Sequence, residues 1–400
     1  MRVLMWEAFA PGAAIRVGGH HYAERFLRQG ADLAWCVGPL SPVNFLKTND
    51  ETRRRLRLWR RGGEVSREGR MFAYAPMSLL PYRPYPLFDR PFMHRLTLRA
   101  TVPRLRKVLG RAGFERVDIL WLSTGSPFLA LLEEVPHDIA IYRMSDDTAA
   151  FTDTPRTFAA LEREVCGRVD LVLATAQSLA VRAREMNARR VLHLPNACDP
   201  GAFDVEAAAE PDDLRGLSRP RAVYAGAIER WLDVDLLADT ARRLPGWTFL
   251  LIGPLRTRLG PLRGLPNVHA LGPRPYAELP AYFRASDAGI VPFVLDAMTH
   301  AIHPLKVYEY CAAGLPVVAT PMQETVAMGA PIRLAGTPKA FARALEDALL
   351  ESRGAAGRSA RAERREFARR NSWDSRFEVL LGMIAALEGR PAARVAGGSR

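Results

Sequence analysis

Two side chains suited to a phosphorylated ligand, Lys306 and Glu309, stand three residues apart in a stretch with helical apolar spacing. That spacing places both on one face of the predicted helix. Pro304 precedes its first turn, and Gly314 can supply the left-handed residue that ends it. A helix N-terminus presents free N–H groups and a positive dipole end, to which Lys306 adds a charge. The pattern favours a diphosphate site in which Glu309 accepts from ribose hydroxyls; an ordinary amphipathic helix is the alternative.

A pair of carboxylates, Asp146 and Asp147, is the second candidate for chemistry. The pair follows the apolar run Ile139–Arg143, which we predict to be a strand. Residues just past the carboxyl end of a parallel strand face the crevice of the sheet, where a carboxylate can take a proton. The alternative is that one of the two caps the segment that follows.

A third candidate lies near the amino terminus. His20 and His21 open the predicted helix Gly19–Gln29, so we expect them and Gly19 to face the same crevice. A hydrogen-bonded histidine at a helix start is the alternative interpretation. No G-x-G-x-x-G follows the predicted first strand Arg2–Trp6, which argues against an NAD site.

Strands and helices alternate along the chain, which predicts an α/β protein with doubly wound sheets. The predicted strands are Arg2–Trp6, Ala31–Gly38, Asp118–Thr124, Ile139–Arg143, Leu171–Ala176 and Arg190–Pro195, then Ala222–Ala227, Trp247–Gly253, Val268–Gly272, Ala288–Pro292 and Pro316–Thr320. We expect a domain over 1–199, a linker over 200–220, a second domain over 221–370, a last helix over 371–390 that returns to the first domain, and a disordered tail over 391–400.

The positive charge is concentrated in one part of the chain. The 400 residues carry a net charge of +13, and residues 53–116 alone hold 17 basic against 4 acidic residues. We predict a basic helix near Pro91–Leu109. Basic and apolar side chains interleaved in this way favour an anionic membrane surface. The residues chosen for that contact are Arg53, Arg54, Arg55, Arg57, Trp59, Arg95 and Arg99. A solvated surface is one alternative; nucleic acid is another, although no nucleic-acid fold motif accompanies the patch.

The sequence also argues against disulfides, a metal site, a membrane span and a signal peptide. The four cysteines are scattered and form no C-x-x-C pair, which fits reduced thiols in the cytoplasm. His300 and His303 lack accompanying ligands, so no metal site is expected. Asp233 and Asp235 match a D-x-D metal motif, but they open a helix, so we interpret them as capping residues. No apolar run reaches the roughly 20 residues of a membrane span, and the amino terminus lacks the core of a signal peptide.

Three segments resemble the nucleotide-sugar domain of family 4-like GT-B glycosyltransferases, which have two Rossmann-like domains facing across a cleft. The first is H-P-L-K-V-Y-E-Y-C-A-A-G-L-P-V-V-A-T within residues 301–320, and the others are Val223–Asp235 and Tyr276–Phe293. The resemblance implies a nucleotide-sugar site formed by Gly226, Ile228, Arg230, Phe293, Leu305, Lys306 and Glu309. In the first domain, I-Y-R-M-S-D-D is similar to the Y-R-x-S-D segment of xanthan-type, membrane-associated glucuronosyltransferases. That similarity implies Asp146 as the catalytic base, with Asp147 as the second choice.

The resemblance implies a function for the whole chain. We expect the second domain to bind a nucleotide sugar, with UDP as the expected nucleotide. We expect the first domain to bind a lipid-linked or polysaccharide acceptor. Lys306 would stabilise the leaving diphosphate without a metal or other cofactor. Retaining relatives often carry a Glu where this chain has Ala301, so inversion is expected. The protein would act in the cytoplasm, peripherally on the inner membrane face, in cell-surface polysaccharide synthesis, without nucleic acid.

Two other functions are compatible with this sequence. A sugar-nucleotide epimerase uses the same architecture and a similar diphosphate site, but it would release an altered nucleotide sugar without an acceptor. A non-catalytic scaffold of a polysaccharide assembly complex would tolerate mutation of Asp146. Fold by itself does not choose among the three.

Overall fold

A computed structural model describes residues 1–13, 16–46, 50–80, 91–123, 128–147, 158–203, 209–352 and 354–389. The chain forms two compact units, Met1–Pro195 with Phe377–Arg400, and Asn196–Arg376. The predicted tail over 391–400 and the Pro-rich and aromatic run that follows Leu80 lie outside the described residues.

The first unit contains an eight-stranded sheet in the order β3-β4-β2-β1-β5-β6-β7-β8. Its strands are β1 (Arg2–Glu7), β2 (Asp32–Val37), β3 (Glu64–Ser66), β4 (Met71–Tyr74), β5 (Val117–Leu122), β6 (His137–Met144), β7 (Leu171–Ala174) and β8 (Val191–His193). All neighbours pair in parallel except β3 and β4. The central strands are almost entirely buried, as expected where helices cover both faces of a parallel sheet.

Seven helices connect these strands in the described part of the first unit. They are α1 (Gly18–Arg28), α2 (Asp50–Arg60), α3 (Pro91–Arg99), α4 (Leu105–Arg111), α5 (Phe128–Glu134), α6 (Phe158–Arg168) and α7 (Gln177–Glu185). The prediction of one continuous basic helix over Pro91–Leu109 is wrong, because α3 and α4 are separate. Pro103 lies between them, where its ring and missing N–H interrupt helical hydrogen bonding.

The second unit contains a six-stranded sheet in the order β11-β10-β9-β12-β13-β14. Its strands are β9 (Arg221–Ala225), β10 (Thr248–Ile252), β11 (Val268–Gly272), β12 (Ala288–Val291), β13 (Val317–Ala319) and β14 (Arg333–Leu334). Every neighbouring pair is parallel. The predicted strands of both units are all present within two residues of their expected bounds, whereas the short β3, β4 and β14 are not predicted.

The helices of the second unit lie between these strands and beyond them. They are α8 (Pro200–Phe203), α9 (Val234–Arg243), α10 (Leu279–Arg284), α11 (Ala297–His300), α12 (Leu305–Ala312), α13 (Gln323–Ala327), α14 (Pro338–Glu351), α15 (Gly354–Arg370) and α16 (Trp373–Leu387). The segment expected to be a linker, 200–220, contains α8, a 3-10 turn at Asp212–Leu214 and the buried Leu214.

The last helix, α16, belongs to both units, as the sequence predicts. Trp373 is fully buried and its backbone N–H donates to the Cys198 carbonyl (3.0 Å), within the second unit. From Phe377 onward the helix belongs to the first unit, where the Phe377 ring packs edge-on against Phe26 with the ring centroids 5.0 Å apart. Burial of these aromatic side chains is the main stabilisation of such a helix.

Candidate active site

The turn after β9 is shaped by two glycines. Gly253, which follows β10, has φ +148°, and a Cβ built on it would lie 1.8 Å from the carbonyl oxygen of Gly226. Only glycine therefore allows the two turns to pack at this distance. The Gly226 N–H donates to Ile252 (2.8 Å), and the Ala225 N–H donates to the Tyr310 hydroxyl (2.9 Å), which ties β9 to α12. This places the predicted Gly226 at the carboxyl edge of the second sheet.

The other two residues predicted on this turn, Ile228 and Arg230, differ in their exposure to solvent. Ile228 is buried and its N–H donates to the Pro254 carbonyl (3.0 Å), so it holds the turn in place. Arg230 is half-exposed on the following segment. Asp233 caps α9 by accepting from the Leu236 N–H at 2.8 Å, which confirms capping for the first residue of the D-x-D pattern.

Phe293 follows β12 at the same edge, but its ring is only 7% exposed and packs against Tyr224 with the centroids 6.3 Å apart. Its N–H donates to Thr320 Oγ1 at 3.1 Å. The Phe293 side chain is therefore part of the core, and its assignment to the nucleotide-sugar site stays a prediction.

The start of α12 carries the predicted pair. Leu305 is the first helical residue after Pro304, and the Lys306 Nζ atom lies 2.8 Å from Glu309 Oε2. Glu309 is fully buried, and its Oε1 atom has no hydrogen-bond partner among the described residues. A buried carboxylate oxygen without a donor is costly unless a ligand supplies one. Because α12 leads into β13, its N-terminus lies at the carboxyl edge of the sheet, the edge that carries Gly226.

A buried polar group beside this helix start is missed by sequence reasoning. His303 is 5% exposed; its Nε2 atom lies 4.0 Å from Glu324 Oε2 and 3.3 Å from the Tyr308 hydroxyl. Its carbonyl accepts from Asn196 Nδ2 at 2.9 Å. The position of Glu324 just after the end of β13 is the signal that could have identified it.

In the first unit, Asp146 lies two residues past β6 and is half-buried. Burial raises the pKa of this carboxyl above its usual range, while the Ser145 hydroxyl, which donates to Oδ2 at 3.0 Å, and the charge of Arg143 lower it. A raised pKa brings a carboxylate closer to the basicity that proton abstraction needs near neutral pH. The assignment of Asp146 as the base stays a prediction.

Asp147 is engaged differently from its neighbour. Its carboxylate forms an ion pair with Arg182, whose Nη2 atom also lies 2.9 Å from the buried Glu162. Glu162 in turn accepts from the Tyr142 hydroxyl at 2.7 Å. Arg182 therefore holds Asp147 in a network of side chains that includes the buried Glu162.

The sequence also fails to indicate Glu7, the last residue of β1. Glu7 is 2% exposed, and its Oε1 atom accepts from Ser123 Oγ (2.6 Å) and Trp121 Nε1 (3.0 Å). Burial raises the pKa of this carboxyl to about 7, although Arg143 opposes the shift. A Cβ on Gly19 would lie 2.3 Å from Glu7 Oε1, so Gly19 allows the carboxyl to approach the start of α1. An acidic residue ending the first strand is the only sequence signal of this arrangement.

The two histidines of α1 are both buried. His20 is 8% exposed, and its ring lies 4.7 Å from the Trp35 ring, measured between centroids. Its Nδ1 atom accepts from the Val17 N–H at 3.2 Å, and burial lowers the pKa of the imidazole to about 4. His21 is fully buried and its carbonyl accepts from Arg25 at 3.2 Å. Both histidines are therefore buried, and the expectation that they face the crevice stays a prediction.

Most of the arginines predicted to contact a membrane have partners within the protein. Arg95 lies 3.1 Å from both Glu133 and Glu164, and Arg99 lies 2.8 Å from Glu134. On α2, Arg54 donates to the Gly12 carbonyl, whereas Arg55 pairs with Glu51 at 3.0 Å and donates to the Ala8 carbonyl. Trp59 Nε1 donates to the Val102 carbonyl at 2.6 Å. Arg53 remains largely exposed, 3.8 Å from an exposed Asp50. The glutamates of α5 and α6 are the charges that the prediction overlooks.

No helix in the described part of the chain combines the length and the apolar character needed to cross a bilayer.

Known proteins resemble this chain in both sequence and structure. Residues 219–351 match the family model for glycosyl transferases group 1. A stretch of 112 residues is 38% identical to TuaH of Bacillus subtilis (strain 168), whose name describes a glycosyltransferase of teichuronic acid biosynthesis. This match covers 27% of this chain and 28% of TuaH, so the two are comparable over little more than a quarter of their lengths.

The solved structures match over nearly the whole chain. Sucrose-phosphate synthase from Thermosynechococcus elongatus is 16% identical with a TM-score of 0.71, over 97% of this chain and 99% of that one. Anabaena Alr3699/HepE, solved with UDP and glucose, is 15% identical with a TM-score of 0.65, over 96% and 100%. An E. coli structure described as trehalose-6-phosphate bound with UDP-2-fluoro glucose is 14% identical with a TM-score of 0.67, over 96% and 99%.

These likenesses define the fold of the protein. Two Rossmann-like units with parallel sheets, matched over nearly their full length, are the GT-B fold. The chain therefore has the GT-B fold, and residues 219–351, within its second unit, match the glycosyl transferases group 1 model.

Proposed function

We propose that this protein is a glycosyltransferase that moves a sugar from a nucleotide-sugar donor to a hydroxyl of a lipid-linked or polysaccharide acceptor. The observation that carries the proposal is the buried Glu309, with one oxygen paired to Lys306 and the other without a partner among the described residues. This pair lies within the segment matched by the group 1 model. The teichuronic acid role in the name of TuaH supports cell-surface polysaccharide synthesis.

The donor would bind at the carboxyl edge of the second sheet. Gly226 allows the turn after β9 to approach a ligand closely, and Glu309 Oε1 would accept from a ribose hydroxyl. Lys306 and the N–H groups at the start of α12 would hold the diphosphate as negative charge develops on it. UDP is the expected nucleotide, because Anabaena Alr3699/HepE was solved with UDP and glucose.

The acceptor would bind to the first unit, with Asp146 as the base. The acceptor hydroxyl loses its proton as it attacks the anomeric carbon, and Asp146 would receive that proton. Its raised pKa and the engagement of Asp147 by Arg182 both favour Asp146 over its neighbour.

Inversion at the anomeric carbon is part of the proposal, and so is the absence of a metal requirement. Ala301, buried where retaining relatives often carry a Glu, offers no carboxylate for the alternative stereochemistry. Asp233 caps α9 through its Oδ1 atom, which gives the D-x-D pattern a structural role. Lys306 would supply the charge that a metal otherwise provides.

Association with the cytoplasmic face of a membrane is the final part of the proposal. It rests on the exposed Arg53 and Arg60 of α2, since Arg95 and Arg99 are paired with glutamates. Binding to acidic vesicles should fall steeply between low and high salt if these charges hold the protein there. Salt-independent binding, or none, would remove this part and leave the transfer reaction untouched.

The test of the function is a transfer assay. The purified chain is incubated with a panel of radiolabelled nucleotide sugars and a membrane lipid extract, and the lipid phase is counted. We expect label to enter the lipid phase with one donor and to be lost in Asp146→Asn. An altered nucleotide sugar released without acceptor would indicate an epimerase. Labelling that does not change with Asp146→Asn would indicate that transfer does not use this base.

A further inference from the structure

A cavity of about 650 Å³ lies in the first unit, separate from the donor residues of the second. Helices α1 and α2 form its walls, and Trp35 of β2 and Ala73 of β4 contribute to its floor. The loop Pro11–Ala13 closes one end, next to the carboxyl end of β1. The lining of the cavity therefore reaches the carboxyl end of β1, at the sheet edge that also carries Asp146.

The charge inside this cavity is predominantly positive. Its lining includes five arginines, Arg16, Arg54, Arg57, Arg61 and Arg67, against the two glutamates Glu24 and Glu64. Glu24 is already shared by Arg16 (2.8 Å) and Arg67 (3.1 Å), and these guanidiniums lower the pKa of its carboxyl although burial opposes them. Like charges confined in one concave site repel each other unless an anion joins them.

Three of the arginines form one row. Arg54, Arg57 and Arg61 follow each other at intervals of three and four residues, so they share one face of α2 and its last turn. Arg54 donates to the Gly12 carbonyl, and Arg61 lies 3.5 Å from Glu64. The Arg57 guanidinium makes no ion pair or hydrogen bond within the residues that the structure describes, and it is exposed to the cavity. The N–H groups of the Arg57 guanidinium can therefore donate to a ligand in the cavity.

The remaining lining supplies two further kinds of contact. Leu27, Leu58 and Met71 provide an apolar wall along the cavity. His20 is neutral at physiological pH because burial lowers its pKa to about 4, and its Nδ1 atom accepts from Val17. The neutral His20 ring therefore adds an uncharged polar side chain to the cavity lining. A ligand with an anionic group and an apolar part would match the arginine row and the apolar wall.

We propose that this cavity binds a phosphate group attached to an apolar chain, with Arg57 as its main cation, and that this group belongs to the acceptor. The proposal rests on the proposed function insofar as it names the acceptor class. The strands β1 and β6 are separated only by β5, so their carboxyl ends lie about 10 Å apart. A phosphorylated acceptor anchored near Pro11–Ala13 would thus have its sugar-accepting end near Asp146.

The test measures binding of a soluble amphiphilic diphosphate, farnesyl diphosphate, to the full chain by calorimetry. We expect Arg57→Glu to weaken binding by about tenfold or more, because charge-assisted hydrogen bonds to phosphate are lost and repulsion replaces them. The matched control is Arg106→Glu, which makes the same charge change at an exposed residue of α4 outside the cavity and should alter binding by less than about twofold. Thermal melts of both variants establish that the fold is retained.

Three results would overturn the inference. The first is no binding of farnesyl diphosphate to the unaltered chain. The second is an equal loss in Arg106→Glu and Arg57→Glu, which would indicate an effect of the net charge and not of the cavity. The third is inorganic pyrophosphate binding as tightly as farnesyl diphosphate, which would exclude a contribution from the apolar wall.

Vesicles of phosphatidylglycerol in phosphatidylcholine separate the two sources of such a phosphate. Retention of vesicle binding by Arg57→Glu, together with loss of farnesyl diphosphate binding, supports an acceptor site. Loss of vesicle binding with unchanged farnesyl diphosphate binding overturns it in favour of a bilayer headgroup.

Binding of UDP in the same preparations separates this inference from the proposed function. Intact UDP binding without farnesyl diphosphate binding overturns the cavity alone. Farnesyl diphosphate binding that depends on Arg57, without UDP binding, supports the cavity and overturns the donor assignment.

Discussion

The Nζ atom of Lys306 lies 2.8 Å from Oε2 of Glu309, a carboxylate that is fully buried while the lysine keeps a quarter of its side chain exposed. The lysine therefore compensates a buried negative charge on one side and can reach a ligand on the other. Removing it should affect both stability and nucleotide binding.

We expect Lys306→Ala to weaken UDP binding by on the order of 1.5–3 kcal/mol, the range of charge-assisted contacts. It should also lower the free energy of unfolding, because Glu309 would remain buried without its partner. Calorimetry and urea unfolding measure the two effects. Lys339→Ala, an exposed lysine of α14, is the control and should change neither. Unchanged UDP affinity in Lys306→Ala would contradict the diphosphate assignment.

A second prediction separates the two aspartates. Asp146→Asn keeps the shape of the side chain and removes its basicity, so transfer should fall about 10²–10⁴-fold, the usual contribution of a positioned base. UDP affinity should stay the same, since the donor residues belong to the other unit.

Asp147→Asn provides the comparison for that measurement. It should slow transfer less but lower stability, because it breaks the ion pair with Arg182 and leaves that guanidinium short of one partner. A larger catalytic loss in Asp147→Asn than in Asp146→Asn would move the base by one residue. Full transfer activity in both variants would leave the inverting mechanism without a base.

Glu7 makes stability depend on pH. Its pKa is about 7 in the folded chain against an ordinary value of 4.5, so the folded state holds a proton that the unfolded state releases first. Stability should therefore fall as the pH rises from about 4.5 to 7 and be level above that, by about 3 kcal/mol for this group. Glu7→Gln keeps an acceptor for Ser123 and Trp121 and does not ionise.

The measurement for Glu7 is the free energy of unfolding in urea at pH 5 and pH 8, for the original chain and for Glu7→Gln. We expect the difference between the two pH values to be smaller in Glu7→Gln. Glu64→Gln, which alters an exposed carboxyl, should follow the original chain. Equal pH dependence in the original chain and in Glu7→Gln would show that Glu7 titrates normally.

Gly253 should be nearly intolerant of substitution. A Cβ there would lie 1.8 Å from a backbone oxygen, and φ of +148° disfavours any L side chain. Gly253→Ala should cost about 3 kcal/mol or more and abolish UDP binding by displacing the turn that carries Gly226.

The matched control for this change is Gly246→Ala, because a Cβ at Gly246 would meet nothing within 4 Å. Its unfolding midpoint should stay within a few degrees of that of the unaltered chain. Comparable melting of Gly253→Ala and Gly246→Ala would refute the close packing of the two turns.

Local sequence pattern is sufficient for the two sheets and for part of the site. Short apolar strands that alternate with helices predict a parallel sheet with helices on both faces. Periodicity predicts the strands from β1 to β13, apart from the short β3 and β4. Lys306 and Glu309 are three residues apart on one helix, and the capping by Asp233 involves the next turn. Contacts of this kind join residues three positions apart on one helix, so the local sequence predicts them.

Contacts between residues far apart in the chain follow from packing, and the sequence does not indicate them. Asp147 and Arg182 are 35 residues apart, and Glu7 meets Ser123 across 116 residues. The pairing of Arg95 with Glu133 and Glu164 likewise depends on how α3 packs against α5 and α6. The sequence shows which charged groups are present. The pKa and the contacts of each group depend on its burial and on the nearest opposite charge, and only the folded chain brings those neighbours together.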